Sequence, residues 1–119
     1  MSAIAITASC FFVAVVAAST VPSVTSFGDP GFSWDHGTAK HTLESGGSAI
    51  TITPTPNLDY WARTFYSPLL IKHDAQTLLM PIEADVEATI RTTFTLAHRA
   101  QFDQAGIMVV VDENTWVKE

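Results

Sequence analysis

Glu83, Asp85 and Glu87 are the residues whose types and spacing most directly suggest chemistry. On an extended strand, alternate side chains project to one face, so the three carboxylates would stand in a row. In such a row, one carboxyl can be held protonated by its neighbours' charge while another stays ionised. A retaining glycosidase needs that division of labour, one group as nucleophile and one as acid, about 5 Å apart. The competing reading is a solvated strand face, since the same face continues into Thr89, Arg91 and Thr93. Outer faces of sheets are commonly charged in this way. Asp103 and Gln104, three and two residues before Gly106, form a second constellation. It suits either a polar ligand contact beside a close backbone approach or a strand start fixed by side-chain bonds to neighbouring backbone. Trp34, Trp61 and Trp116, with Tyr60 and Tyr66, supply ring faces with polar handles, the chemistry of sugar stacking. The competing reading is core packing, the usual place of aromatics in a β-sandwich, and Trp61 and Trp116 are the stronger candidates for a stacking platform.

Other chemistries lack their signatures. His36, His41, His73 and His98 do not have metal-ligand spacing, and no metal or other cofactor is expected. The Ser and Thr residues lack a glycine-flanked nucleophile elbow. Asn57 and Asn114 are outside glycosylation sequons. Net charge is −6 at pH 7, and the six basic residues are dispersed, which excludes nucleic acid as a partner class. The single cysteine, Cys10, rules out an intrachain disulfide framework.

These residues must be positioned by strands. From Ala84 to Phe94, Val86, Ala88, Ile90, Thr92 and Phe94 alternate with polar residues, which predicts a half-buried strand. Ala105 to Val111 predicts a second strand, apolar enough to be covered on both faces. Asp112, Glu113 and Asn114 predict a tight turn into a partner strand, Thr115 to Lys118. Upstream, Phe32 to Asp35 is an aromatic lead-in, Thr38 to Leu43 a weak edge strand, Glu44 to Gly47 a turn and Ser48 to Thr53 a clear strand. Pro54 to Asn57 ends that strand. An aromatic run follows over Asp59 to Tyr66, then short extended pieces at Leu69 to Lys72 and Thr77 to Met80. Short strands separated by turns, with no sustained helical period, predict an all-β antiparallel sandwich.

Three blocks carry a family resemblance. Phe102-Asp103-Gln104-Ala105-Gly106-Ile107-Met108-Val109 with Asn114-Thr115-Trp116-Val117-Lys118-Glu119, and upstream Leu58 to Tyr66, are similar to a domain-of-unknown-function family related to regulation of enolase. The resemblance covers roughly Phe32 to Glu119 and implies a concanavalin A-like jelly roll with no established catalytic mechanism. In that family the Trp-Val-Lys block is followed by further strands. The expectation is therefore a chain truncated after that block, with its sandwich incomplete at the C-terminus. The acidic strand also resembles that of laminarinase-like glycoside hydrolases, with Ala84 where those enzymes have a bulkier apolar residue. Together the blocks imply ligand contacts at Asp59, Trp61, Asp103, Gln104, Trp116 and Lys118, in a non-catalytic module that binds a glycan or a protein partner. A glycoside hydrolase or its relic, using Glu83, Asp85 and Glu87, is the alternative.

Residues 1–26 are free of charged side chains, and Ile4 to Ala18 has the length of a signal-peptide core. Val16-Ala17-Ala18 or Ala17-Ala18-Ser19 would serve as a cleavage site, although a basic amino-terminal region is missing. The same segment reads alternatively as an apolar strand over Cys10 to Val16, as a gene-prediction artefact or as a retained anchor. Cleavage after residue 19 would mean secretion, and retention without anchoring a cytoplasmic protein. A membrane is expected only through this leader. Residues 27–119 are then the β-sandwich part.

Overall fold

The structure is a computed structural model that describes residues 3–6, 11–16, 24, 26–83 and 87–119. Cys10, the stretch Ala17 to Ser19 and Asp85 lie outside the described residues. Among the described residues there is no α-helix, and the chain is all-β. The strands are β1 (Ala3–Ile6), β2 (Phe11–Val16), β3 (Ser33–Asp35), β4 (Lys40–Glu44), β5 (Ala49–Thr53), β6 (Tyr60–Ala62), β7 (Ile71–His73), β8 (Thr77–Pro81), β9 (Thr93–Leu96), β10 (Ala105–Asp112) and β11 (Thr115–Lys118). They form a four-stranded sheet in the order β4-β5-β1-β9, a five-stranded sheet in the order β11-β10-β2-β8-β3, and the hairpin β6-β7.

Direction divides the pairings into two sets. The contacts β4-β5, β3-β8, β10-β11 and β6-β7 are antiparallel. The parallel contacts all involve β1, which lies between β5 and β9, or β2, which lies between β8 and β10. Each amino-terminal strand thus supplies the ladder joining the two halves of a sheet.

Local sequence explains the hairpins. Ala49–Thr53 alternates, with Ile50 and Ile52 buried and Thr53 exposed. The preceding turn, a short 3-10 segment over Ser45–Gly47, uses left-handed backbone at Ser45, Gly46 and Gly47. Phe27 N–H donates to the Gly47 carbonyl at 2.7 Å, which brings the amino-terminal side of the domain onto this turn. At the other end, β10 and β11 are held in register by Val109↔Val117 and Val110↔Trp116, and the ladder continues through two 2.9 Å bonds between Ile107 and Glu119.

One core cluster, Phe27, Ala39, Ile50, Ile52 and Leu78, with Phe32, Trp34, Leu96 and Ala105 against it, draws side chains from both large sheets. A second cluster of Tyr60, Ala75 and Met108, packed by Leu79, Val110 and Trp116, lies on the other face of the five-stranded sheet. Leu78 and Leu79 are successive residues of β8 and point into different clusters, as the pleat requires. The β6-β7 hairpin covers this second cluster through Tyr60, so a functional surface can be built on top of a packed base.

Two sequence expectations are corrected. The strand predicted over Ala84 to Phe94 is confined to β9, and residues 87–92 form no strand. Alternation marks a strand only where a partner accepts the backbone bonds, and the side chains of Glu87, Ala88 and Thr89 are exposed. Ala105 to Val111 is not covered on both faces, since Val109 is exposed and Val111 is 73% exposed.

Two tests follow from this architecture. A chain starting at Thr20 lacks both β1 and β2 and is expected to lose cooperative urea unfolding, whereas a full chain retains it; an unchanged transition would show that these strands are dispensable. Gly46 has φ +69 and open space around it, while a Cβ on Gly47, at φ +89, would overlap the Ser26 hydroxyl and approach the Gly28 nitrogen at 3.2 Å. Gly46→Ala should cost about 1 kcal/mol and Gly47→Ala about 3 kcal/mol in denaturant titrations.

Candidate functional site

The ammonium of Lys118 is the centre of the site. Lys118 shares a face of β11 with Trp116, the face that looks onto Tyr60. Its Nζ donates to the Tyr60 carbonyl at 2.5 Å and to Gln104 Oε1 at 2.9 Å, and lies 3.8 Å from Asp59 Oδ1. The Lys118 and Asp59 side chains are only 18% and 17% exposed. At that burial an ammonium must be surrounded by acceptors, and the carbonyl, amide and carboxylate supply them. The rings of Trp61 and Trp116 complete the shell, with centroids 5.1 and 5.9 Å from Nζ, within cation–π range.

Asp59 is placed by the base of the β6-β7 hairpin. Its N–H donates to Asp74 Oδ1 at 2.8 Å, and its carbonyl accepts from Asp74 N and Ala75 N. Next along the chain, Tyr60 enters the core at 2% exposure, and its hydroxyl is 3.0 Å from His36 Nε2. His36 Nε2 in turn lies 3.3 Å from Asp35 Oδ2. Burial first, and the carboxylates of Asp35 and Asp74 second, push the Tyr60 phenol up from 10.0 to about 12. Trp116 packs edge-on against this ring, with centroids 5.5 Å apart.

Beside Lys118 opens a cavity of about 360 Å³, lined by Phe94, Leu96, His98, Asp103, Gln104, Ala105, Lys118 and Glu119. Asp103 helps to build its wall. One carboxylate oxygen, Oδ2, accepts from Arg99 N at 2.8 Å and Ala100 N at 3.0 Å, closing the loop before β10. The reading of Asp103 as a residue that fixes backbone therefore describes one of its tasks; it also faces the cavity.

Five of the six residues expected to contact a ligand, Asp59, Trp61, Gln104, Trp116 and Lys118, meet around one ammonium. Asp103 joins them as a wall of the adjoining cavity. Trp34 and Tyr60 do not join the stacking surface. Trp34 packs on the main core with its ring 5.1 Å from that of His41, and Tyr60 is buried. Glu83 is half-buried and Glu87 exposed, both outside any strand, so strand alternation does not align them. The sequence reading missed Phe65 and Phe102, which with Trp61 and Tyr66 form an aromatic group beside the cavity. Their neighbours in sequence give no sign of this, because both residues take left-handed backbone that phenylalanine rarely adopts.

Residues 34–119 match the family described as Protein of unknown function (DUF1349). The chain belongs to that family. No curated protein and no solved structure matches it significantly. The DUF1349 match begins at Trp34, so it includes all strands of the antiparallel set except the first residue of β3. Every residue around Lys118 falls within it.

Tyr60 gives this DUF1349 domain a pH signature. Its folded pKa is raised above the unfolded value, so its contribution to stability is complete below pH 10.0 and is lost as pH rises toward about 12. The urea midpoint should therefore fall across that window in the native chain and fall less in Tyr60→Phe. The difference in phenolate absorbance between the two proteins should place the Tyr60 transition near 12. A Tyr60 phenolate appearing well below that pH in the folded chain would contradict the assignment.

Proposed function

We propose that this chain is a non-catalytic module built on a concanavalin A-like β-sandwich, and that it binds a glycan at the corner formed by Trp61, Gln104 and Lys118. The architecture is supported by the shared core of the two large sheets and by the antiparallel pairs β3-β8, β4-β5, β6-β7 and β10-β11. The observation that carries the binding reading is the cavity of about 360 Å³, in which apolar Phe94, Leu96 and Ala105 face polar His98, Asp103, Gln104 and Lys118. A sugar ring has the same division, with C–H faces and a hydroxyl rim. Its volume is within the range of small-molecule sites.

The polar groups are fixed before a ligand arrives. Lys118 is held by Gln104, Asp59 and the Tyr60 carbonyl, so the position of its ammonium and of the Gln104 amide beside it is set in advance. Gln104 can still offer its amide donors, and Trp61 provides an indole partly open to solvent. Such prior ordering lowers the entropic cost of binding. Asp103 supports this reading over hydrolysis, because its Oδ2 already bonds two backbone N–H groups of the loop.

The test is a glycan array followed by calorimetry on the sugars retained. Trp61→Ala should weaken the retained sugar at least about tenfold, roughly 1.4 kcal/mol, with the urea transition kept. Gln104→Ala should weaken it by a smaller factor. Absence of any retained sugar, or full affinity in Trp61→Ala, would reject the glycan reading and favour a protein partner at this corner.

A further inference from the structure

The loop joining β6 to β7 and the loop before β10 bring four rings together in a way that packing alone does not explain. Trp61 contacts Tyr66 at 5.5 Å and Phe102 at 5.8 Å between centroids, and Phe65 contacts Tyr66 at 5.5 Å and Phe102 at 5.2 Å. Despite these contacts, Phe65 is 75% exposed and Tyr66 39% exposed. Arg63, Phe65 and Phe102 have φ of +61, +68 and +72. Each such non-glycine residue costs on the order of 1–2 kcal/mol. Phe65 therefore combines strained backbone with a ring left in water. A loop free to relax would remove both penalties, so something else must hold the arrangement.

The loops are pinned from within. Thr64 O accepts from Trp61 Nε1 at 2.7 Å and from Tyr66 N at 2.8 Å, and Arg63 N donates to Leu70 O at 3.3 Å. Across from them, the Asp103 carboxylate closes the loop that carries Phe102. The planes of Phe65 and Tyr66 meet at 83°, and those of Phe65 and Phe102 at 73°. In edge-to-face contact the edge of one ring meets the face of the other, and Phe65, though it contacts both neighbours, keeps most of its ring surface open to an occupant.

We infer that these rings are a second sugar subsite, and that the ligand is a neutral oligosaccharide spanning the cavity and the shelf. The inference rests on the glycan reading of the cavity and extends it to chain length and charge. Continuity supports the extension: Trp61 touches both Lys118 and the shelf, and Phe102 precedes Asp103 of the cavity wall. Charge supports neutrality, since the chain carries −6 overall and Lys118 is already paired with Asp59, so an anionic polymer would meet net repulsion.

The experiment is calorimetry of the full chain with a monosaccharide and with xylo-, cello-, laminari- and manno-oligosaccharides of increasing length. One series should gain about tenfold or more in affinity over its monosaccharide. Phe65→Ala should abolish that gain while leaving monosaccharide affinity and the urea midpoint unchanged, and Phe65→Tyr should preserve it. A monosaccharide that binds with no gain on lengthening overturns the second subsite and leaves the cavity reading standing. A length gain that survives Phe65→Ala overturns it as well. If no sugar of any length binds, both readings fall. Phe65-dependent binding to phosphatidylcholine vesicles, or Phe65-dependent self-association without an effect on sugar, would assign the shelf to another occupant and overturn the inference.

Discussion

Every backbone N–H and C=O withdrawn from water needs a partner, and in this chain β1 and β2 meet that requirement for both large sheets. Without β1, the β4-β5 hairpin and β9 have no ladder between them; without β2, β10-β11 and β3-β8 separate in the same way. The strands on either side of each junction run in one direction, because β1 is parallel to both β5 and β9, and β2 to both β8 and β10. A strand entering between them must therefore be parallel to both or antiparallel to both. The chain uses the parallel solution, which needs no tight turn and is slightly weaker per residue.

The corner around Lys118 depends on this arrangement at one remove. Met108 is buried beneath Tyr60 only while β10 remains seated in its sheet, and β10 is seated between β11 and β2. Tyr60 supplies the carbonyl to which Lys118 donates, and Met108 is the residue paired with Lys118 across the ladder. The ammonium is thus fixed by register in one direction and by a buried ring in the other. Its electrostatic partners would count for little on an open surface. At 18% exposure, with two indoles shielding it, they set its position.

Period and turn chemistry made most of the fold legible. Ile50 and Ile52 alternating with threonine located β5, and Asp112-Glu113-Asn114 located the turn between β10 and β11. Residues 87–92 show where that signal stops, since alternation describes a strand's faces and says nothing about whether a neighbour exists to bond its edges. The amino-terminal segment shows the same ambiguity from the other side. An apolar run of this length satisfies the pattern of a leader and of a central strand alike, and in this structure Ala3–Ile6 and Phe11–Val16 within it pair as β1 and β2. For the site, the blocks around Trp61, Gln104 and Trp116-Lys118 were visible because polar and aromatic types stand out at strand ends. The exposed shelf was not, since left-handed Phe65 and Phe102 are set by the loops they close rather than by residue type.

Asp103 connects the polar and aromatic parts of the surface. Oδ2 of its carboxylate accepts from Arg99 N and Ala100 N, which closes the loop that carries Phe102. Phe102 in that loop, at φ +72, has its ring against Trp61, Phe65 and Tyr66. Asp103 also lines the cavity beside Gln104 and Lys118. A side chain that only received a ligand would have no reason to constrain the aromatic shelf, and one that only closed a loop would have no reason to line the cavity. Because one carboxylate does both, the geometry of the cavity and the presentation of the rings cannot vary independently, as a site spanning the two would require.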